Sequence, residues 1–311
     1  MAYVGLQSQI RRNNWYSIWL LICFPLVLSA LSWALLFLWR YHRSNEFDPF
    51  SITQVHIDFL TIFPLILLGV GLWFIVAFFF HRQLIMRATD SKPLERMANK
   101  RVYNLVENLC LAEGMPRMPR IYVIDDASLN AFASGIHSGS YAISLSRGIL
   151  EKLDDAELEA VIAHELTHIK NRDTRLLIVS IIFVGIFAFL SEIMFKTIRY
   201  KREGGKGEGL WFAGAIGLST LAYVVSLLIQ LAISRKREFM ADAGAAEMTR
   251  KPEALANALR KISADPRIEA VGRKDVAQLF IENPQERSNW FERLFSTHPP
   301  IGERIAYLEQ L

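Results

Sequence analysis

Cysteine is scarce in this chain: its 311 residues include two, Cys23 and Cys110. Cys23 lies inside a long apolar stretch and Cys110 in a polar region, so a disulfide is not expected and a disulfide-rich secreted scaffold is excluded. A cleavable signal peptide is not expected either, because the first apolar run is too long and no small-residue cleavage site follows it. No internal repeat or low-complexity tract is present, which excludes a repeat architecture.

A large charge imbalance is also missing, since the net charge is +4 at pH 7. The basic residues border the apolar stretches, where they would face anionic lipid headgroups. No nucleic-acid partner is therefore expected.

Apolar residues are abundant, at 52% of the chain. They concentrate in four stretches of about the 20 residues that a bilayer-spanning helix needs. These are Trp15–Trp39, Phe59–Phe80, Leu176–Phe195 and Leu210–Ile233. The pattern predicts an integral membrane protein with the lipid bilayer as a partner. For the later two, which contain Glu192 and Gln230, a buried hairpin within a larger bundle remains an alternative.

The distribution of basic residues predicts the orientation. Arg11 and Arg12 precede the first stretch and six basic residues follow the second between Arg82 and Arg101, which places the N-terminus and the region after Phe80 in the cytoplasm. The basic loop between the third and fourth stretches disagrees with a simple four-span arrangement. Either the first pair dominates the topology, or the later pair dips into the membrane or packs on protein without crossing.

The polar regions predict a small mixed α and β domain. A helical pattern runs from Lys92 to Ala112, and Arg120–Ile124 and Ser140–Leu145 are typical of strands. A further helix is expected after Asp154, which has Glu157 at the spacing of a capping box.

That helix carries the sequence His164-Glu165-Leu166-Thr167-His168, an H-E-x-x-H motif. Residues four apart share a helical face, so both imidazoles can bind one metal ion, for which zinc is the expected choice. Glu165 lies beside the open metal position. It can take a proton from a metal-activated water and return it to the leaving amine.

A catalytic zinc needs a third protein ligand. No histidine occurs in the six residues after His168, which excludes the metzincin pattern, where a third histidine ligand follows at about that distance. Glu238 and Asp242 lie four apart on a later helical segment, so Glu238 can bind the metal while Asp242 fixes the tautomer of one histidine. Small residues after Asp242 permit close packing against the zinc helix.

The ordered motifs HELTH, REFMAD and Ser296-Thr297-His298-Pro299-Pro300 resemble those of the HtpX-type membrane metalloproteases, with the prenyl-protein CAAX proteases as more distant relatives. The resemblance covers roughly Arg120 to Leu311. It implies a gluzincin site with one Zn2+ ion on His164, His168 and Glu238, and Glu165 as base. It also implies roles in binding substrate or the oxyanion for a further set of residues: Asn130, Ala131 and Phe132 on an edge strand, His298 near the cleft and Arg304 in a closing helix.

The expected fold is a mainly α membrane protein, with four apolar helices and a gluzincin-like α+β catalytic domain that contains a small sheet and the HExxH helix. The predicted divisions are a two-span anchor (1–90), the first half of the catalytic domain (91–175), an apolar helical pair (176–233) and the second half (234–311). A surface salt bridge is an alternative for Arg304.

The predicted function is a membrane-bound zinc endopeptidase that acts on polypeptides, membrane proteins in particular, in quality control at a bacterial inner membrane. His168 lies eight residues before the third apolar stretch and Glu238 five after the fourth. At about 1.5 Å per helical residue, the metal is then within about 10–15 Å of the membrane surface. The alternatives are a catalytically silent scaffold, a small transporter and a prenyl-protein processing protease.

Overall fold

The computed structural model describes residues 6–44, 48–179, 181–182, 214, 216–217, 219–220, 237–264 and 299–311. The chain divides into two compact units. The first contains Met1–Tyr16, Phe80–Ile178 and Gln230–Leu311, and the second contains Ser17–Phe79 and Val179–Ile229. The divisions predicted at residues 90, 175 and 233 stay a prediction.

A four-stranded sheet lies in the first unit. Its strands are β1 (Ser91–Pro93), β2 (Arg120–Ile124), β3 (Ala131–Ser134) and β4 (Ala142–Ser146), in the spatial order β1-β2-β4-β3. β2 and β4 are parallel, while the two outer strands pair antiparallel with their neighbours. β3 is thus an edge strand of the described sheet, as the family resemblance implies for Ala131 and Phe132, while Asn130 lies just before the strand.

Seven helical segments complete the described part of this unit, besides the ends of the two long helices of the second unit. Four follow the chain as α3 (Lys100–Ala112), α4 (Arg147–Lys152), α5 (Asp155–Lys170) and α6 (from 173 to 179). The others are α7 (237–249), α8 (Pro252–Ala264) and α9 (Ile301–Leu308).

Helix α5 contacts α3, β3 and α8, so it lies at the centre of the unit. The apolar core around it is formed by buried side chains of these elements and of β2 and β4: Val102, Val106, Ile121, Ile143, Leu145, Leu158, Val161, Ile162, Leu255, Leu259 and Ile262. Burial on all sides fixes the orientation of α5 and therefore of its polar residues.

Side-chain caps mark where helices α3 and α5 begin. The predicted capping box is confirmed: the Asp154 side chain accepts from the N–H of Glu157, and the Glu157 side chain accepts from the N–H of Asp154. The prediction of a helix from Lys92 is wrong, because Lys92 lies in β1 and α3 begins at Lys100. The Asn99 side chain accepts from the N–H of Val102 and caps α3 there.

Two long helices, α1 (Leu6–Arg43) and α2 (Ile52–Ala88), form most of the described part of the second unit, and their outer ends belong to the first unit. Both are long and apolar enough to cross a membrane, as predicted. Arg40 and Asp58 link them through an ion pair of 2.8 Å. The predicted helices Leu176–Phe195 and Leu210–Ile233 lie largely outside the described residues.

Candidate metal centre

The two histidines of the HExxH motif face each other on helix α5. The Nε2 atoms of His164 and His168 are 3.1 Å apart. His164 is fully buried, while the His168 side chain retains 13% of its exposure. The four-residue spacing therefore brings both imidazoles to one point, as the helical period dictates.

Helix α7 adds a carboxylate at the same point. Glu238 Oε2 lies 3.6 Å from His164 Nε2, and Glu238 Oε1 lies 3.4 Å from His168 Nε2. Atoms bound to one tetrahedral zinc ion at about 2.0–2.1 Å lie about 3.3–3.4 Å apart. The three side chains thus have both the donor types and the spacing of a site that could hold a metal ion.

Buried carboxylates contact the other nitrogen of each imidazole. Asp242 Oδ1 lies 2.9 Å from His164 Nδ1, and Asp173 Oδ2 lies 3.0 Å from His168 Nδ1. Each contact favours the tautomer with a proton on Nδ1, which leaves the Nε2 lone pair for a metal. The sequence predicts this contact for Asp242 but not for Asp173. The sequence feature that could have indicated Asp173 is a carboxylate five residues after the second histidine of the motif.

Arg304 of helix α9 lies within this cluster with no exposed surface. Its guanidinium donates to both oxygens of Asp242, at 2.9 and 2.7 Å, and lies 3.5 Å from Glu238 Oε2. The alternative of a surface salt bridge is therefore wrong. A role for Arg304 toward substrate stays a prediction, because its described contacts are to the cluster itself.

The buried charges change the protonation of the cluster. Burial lowers the pKa of His164, but its contacts with Asp242 and Glu238 outweigh this and raise the pKa to about 9. A bound cation would therefore compete with a proton for this imidazole. For Asp242 the effects are reversed: burial raises the pKa of its carboxyl, but Arg304 and His164 outweigh this and bring the pKa below its usual value.

Glu165 lies next to the metal-binding cluster and is 3% exposed. Burial raises the pKa of its carboxyl above the usual value, against the opposing effect of His164 and His168. The backbone N–H of Ala133 in β3 hydrogen-bonds to this carboxyl. A carboxyl with a raised pKa is suited to accept and return a proton near neutral pH.

Comparison with known proteins shows the family of this chain. The family model described as peptidase family M48 matches residues 96–311. The chain belongs to peptidase family M48. A protein named protease HtpX homolog from Bacteroides fragilis (strain YCH46) is 50% identical over 322 residues, covering 100% of both chains. Another of that name, from Tropheryma whipplei (strain TW08/27), is 38% identical over 81% of this chain and 86% of that protein.

A solved structure is also similar to this M48 chain. The crystal structure of S. mikatae Ste24p matches with 23% sequence identity and a TM-score of 0.49. The match covers 81% of this chain and 58% of that chain.

The edge strand of this M48 protease lies beside the cluster. Ser146 N donates to Asn130 O, so the alternation of an antiparallel ladder turns the backbone groups of Ala131 and Ala133 away from β4. Asn130, Ala131 and Phe132 are fully buried, backbone included, and the Asn130 amide oxygen accepts from the N–H of Ala131. An added strand would pair with these outward groups, and it would have to displace the Asn130 amide oxygen from the N–H of Ala131. His298 lies outside the described residues.

The packing of α7 on α5 leaves no room for a side chain at Gly244. A Cβ atom there would lie 2.5 Å from Thr167 Cγ2. Small residues at this contact thus allow the helix that carries Glu238 to approach the HExxH helix closely, as the sequence predicts.

We expect Gly244→Ala to destabilise this M48 protease by about 1–3 kcal/mol, because the added methyl forces α7 away from α5. Thermal unfolding in detergent measures the change. Gly302→Ala in α9 is the matched control, since a Cβ there meets no atom within 4 Å. Thr167→Ser should partly restore stability to Gly244→Ala. An unfolding temperature for Gly244→Ala equal to that of the wild type would show that the contact is not limiting.

Proposed function

We propose that this protein is a membrane-bound zinc endopeptidase. The observation that supports it most strongly is the convergence of His164 Nε2, His168 Nε2 and the Glu238 carboxylate within the spacing of one tetrahedral ion. Two imidazoles and one carboxylate, each set on a rigid helix, favour zinc over the harder cations. One Zn2+ per chain is the proposed cofactor.

Zinc bound here would polarise the scissile carbonyl and lower the pKa of water. Glu165 is the proposed base: it accepts the proton of the attacking water and delivers it to the leaving amine nitrogen. Its burial, beside Ala133 and the two imidazoles, keeps the carboxyl close to the reacting atoms. We propose that Arg304 acts mainly by holding Asp242, and Asp242 in turn by orienting His164.

Polypeptide substrates are proposed to bind as an added strand. The backbone N–H and C=O groups of Ala131 and Ala133 face away from β4, and the Ala133 N–H already points to the Glu165 carboxyl. A peptide paired to this edge is recognised through its main chain, so many sequences qualify. His298 remains the proposed donor to the oxyanion.

The helices α1 and α2 support a location in a membrane, and the basic residues around them favour a catalytic unit on the cytoplasmic side of a bacterial inner membrane. The short sequence distance between the proposed ligands and the flanking apolar stretches favours cleavage close to the bilayer. This suits quality control of membrane proteins.

The test is cleavage by the full chain reconstituted in liposomes. One cleavable segment is presented either on a membrane-spanning helix or as a free soluble peptide. We expect faster cleavage of the tethered segment, loss of both activities with a chelator, and recovery with zinc. Cleavage of the soluble peptide alone would contradict the membrane assignment, and activity that persists without metal would contradict the zinc assignment.

A further inference from the structure

The carboxylate that contacts His168 is itself held by the first helix of the chain. Asn13 of α1 donates from Nδ2 to Asp173 Oδ1 at 2.6 Å, while the other oxygen of Asp173 contacts His168 Nδ1 at 3.0 Å. Asn13 is 1% exposed and Asp173 4% exposed. A buried line of three side chains therefore runs from the start of α1 to the proposed metal ligand.

The same asparagine also fixes the backbone from which Asp173 projects. Asn13 Nδ2 lies 2.9 Å from the carbonyl oxygen of Asn171, in the turn between α5 and α6. Arg172 in that turn has a φ of 60°, a conformation that residues with a side chain seldom adopt. Arg172 donates to the Asn14 side chain at 3.0 Å. Two adjacent asparagines of α1 thus contact the turn. Asn13 also donates to the Asp173 carboxylate, whereas the described contact of Asn14 is with Arg172.

Arg237 of α7 contacts Asp173 from the other side. Its guanidinium lies 3.4 Å from the carbonyl oxygen of Asp173 and 4.0 Å from Oδ1. The distance to Oδ1 is longer than a hydrogen bond, so the short hydrogen bond at that oxygen comes from Asn13. Loss of that donor would leave a buried carboxylate oxygen poorly compensated, and the carboxylate would rotate away from His168 to find another partner.

We propose that Asn13 is a positioning residue for the metal centre: it holds Asp173 in the orientation that aims His168 at the ion. The inference rests on the proposed zinc function, and it assigns to the first apolar helix a part in metal binding as well as in anchoring. Removing a partner of a metal-ligating histidine typically weakens metal binding by about 10- to 100-fold. Asn13 acts one residue further away, so the lower end, about tenfold, is expected.

The experiment measures the dissociation constant of zinc alone by chelator competition, using the full chain in detergent. Asn13→Ala is expected to raise it about tenfold, while Asn14→Ala, which removes a contact with Arg172 but none with Asp173, is the matched control and raises it less. A general loss of structure would not distinguish the two asparagines. Circular dichroism of the metal-free variants checks that both are folded.

A double-mutant cycle separates positioning from simple packing. If Asn13 acts through Asp173, Asn13→Ala has no further effect on zinc affinity in an Asp173→Ala chain. An equal loss with and without Asp173, or a wild-type affinity for Asn13→Ala, would overturn the inference while leaving the zinc site intact. A wild-type chain that binds no zinc would overturn the proposed function as well.

Discussion

Glu165→Gln is expected to keep its zinc and to lose peptide hydrolysis by about 100- to 10,000-fold, the usual contribution of a general base. The amide has nearly the shape of the carboxyl but cannot accept the proton of the attacking water. The three proposed ligands, His164, His168 and Glu238, are untouched. Metal content and the cleavage rate are measured on the same preparation, because the metal content is expected to stay the same while the cleavage rate falls.

The matched control for this variant is Glu159→Gln. Glu159 lies on the same helix, and its side chain is 26% exposed beside Lys251. A surface ion pair of this kind contributes little to stability. The cleavage rate of Glu159→Gln should therefore equal that of the wild type. If Glu165→Gln cleaved peptides as fast as the wild type, another group would be the base.

Glu238→Gln is expected to weaken zinc binding by more than about 100-fold, beyond the effect of losing an outer partner of a ligand. The amide removes the charge that offsets a cation, and it leaves His164 and His168 as a two-ligand site. Activity should fall with the metal, unlike in Glu165→Gln. Chelator competition and elemental analysis after dialysis give the two values.

Glu247→Gln controls for the loss of a carboxylate on the same helix, since Glu247 is exposed on α7. Its zinc affinity should be that of the wild type. Retention of zinc by Glu238→Gln with unchanged affinity would remove Glu238 from the site.

The sequence predicted the part of the site that follows from helical periodicity. His164 and His168 share a face because they lie four apart on one helix, and Glu238 and Asp242 do so for the same reason. The capping box at Asp154 is a local pattern too, and the close approach at Gly244 is indicated by the small residues around it. Each of these contacts is specified by residues near one another in sequence, or by side-chain size alone.

The remaining contacts depend on how distant segments pack. Asp173 reaches His168 because the turn after α5 contains Arg172 at a positive φ, and no local pattern indicates that conformation. Arg304 is buried because α9 places it against Asp242 and Glu238 of α7 and His164 of α5. The sequence of an amphipathic eight-residue helix such as α9 does not indicate which other helices it packs against. The predicted start of α3 at Lys92 is wrong because apolar residues at helical spacing, Leu94 and Met97, also precede the Asn99 cap.

The most direct test of the central claim is X-ray absorption at the zinc edge on the purified full chain. Two imidazole nitrogens, from His164 and His168, and a carboxylate oxygen from Glu238 should surround one zinc ion per chain, with distances near 2.0–2.1 Å. The Glu238→Gln chain should lose this spectrum. A wild-type chain without zinc, or one whose zinc spectrum is unchanged by that substitution, would contradict the account.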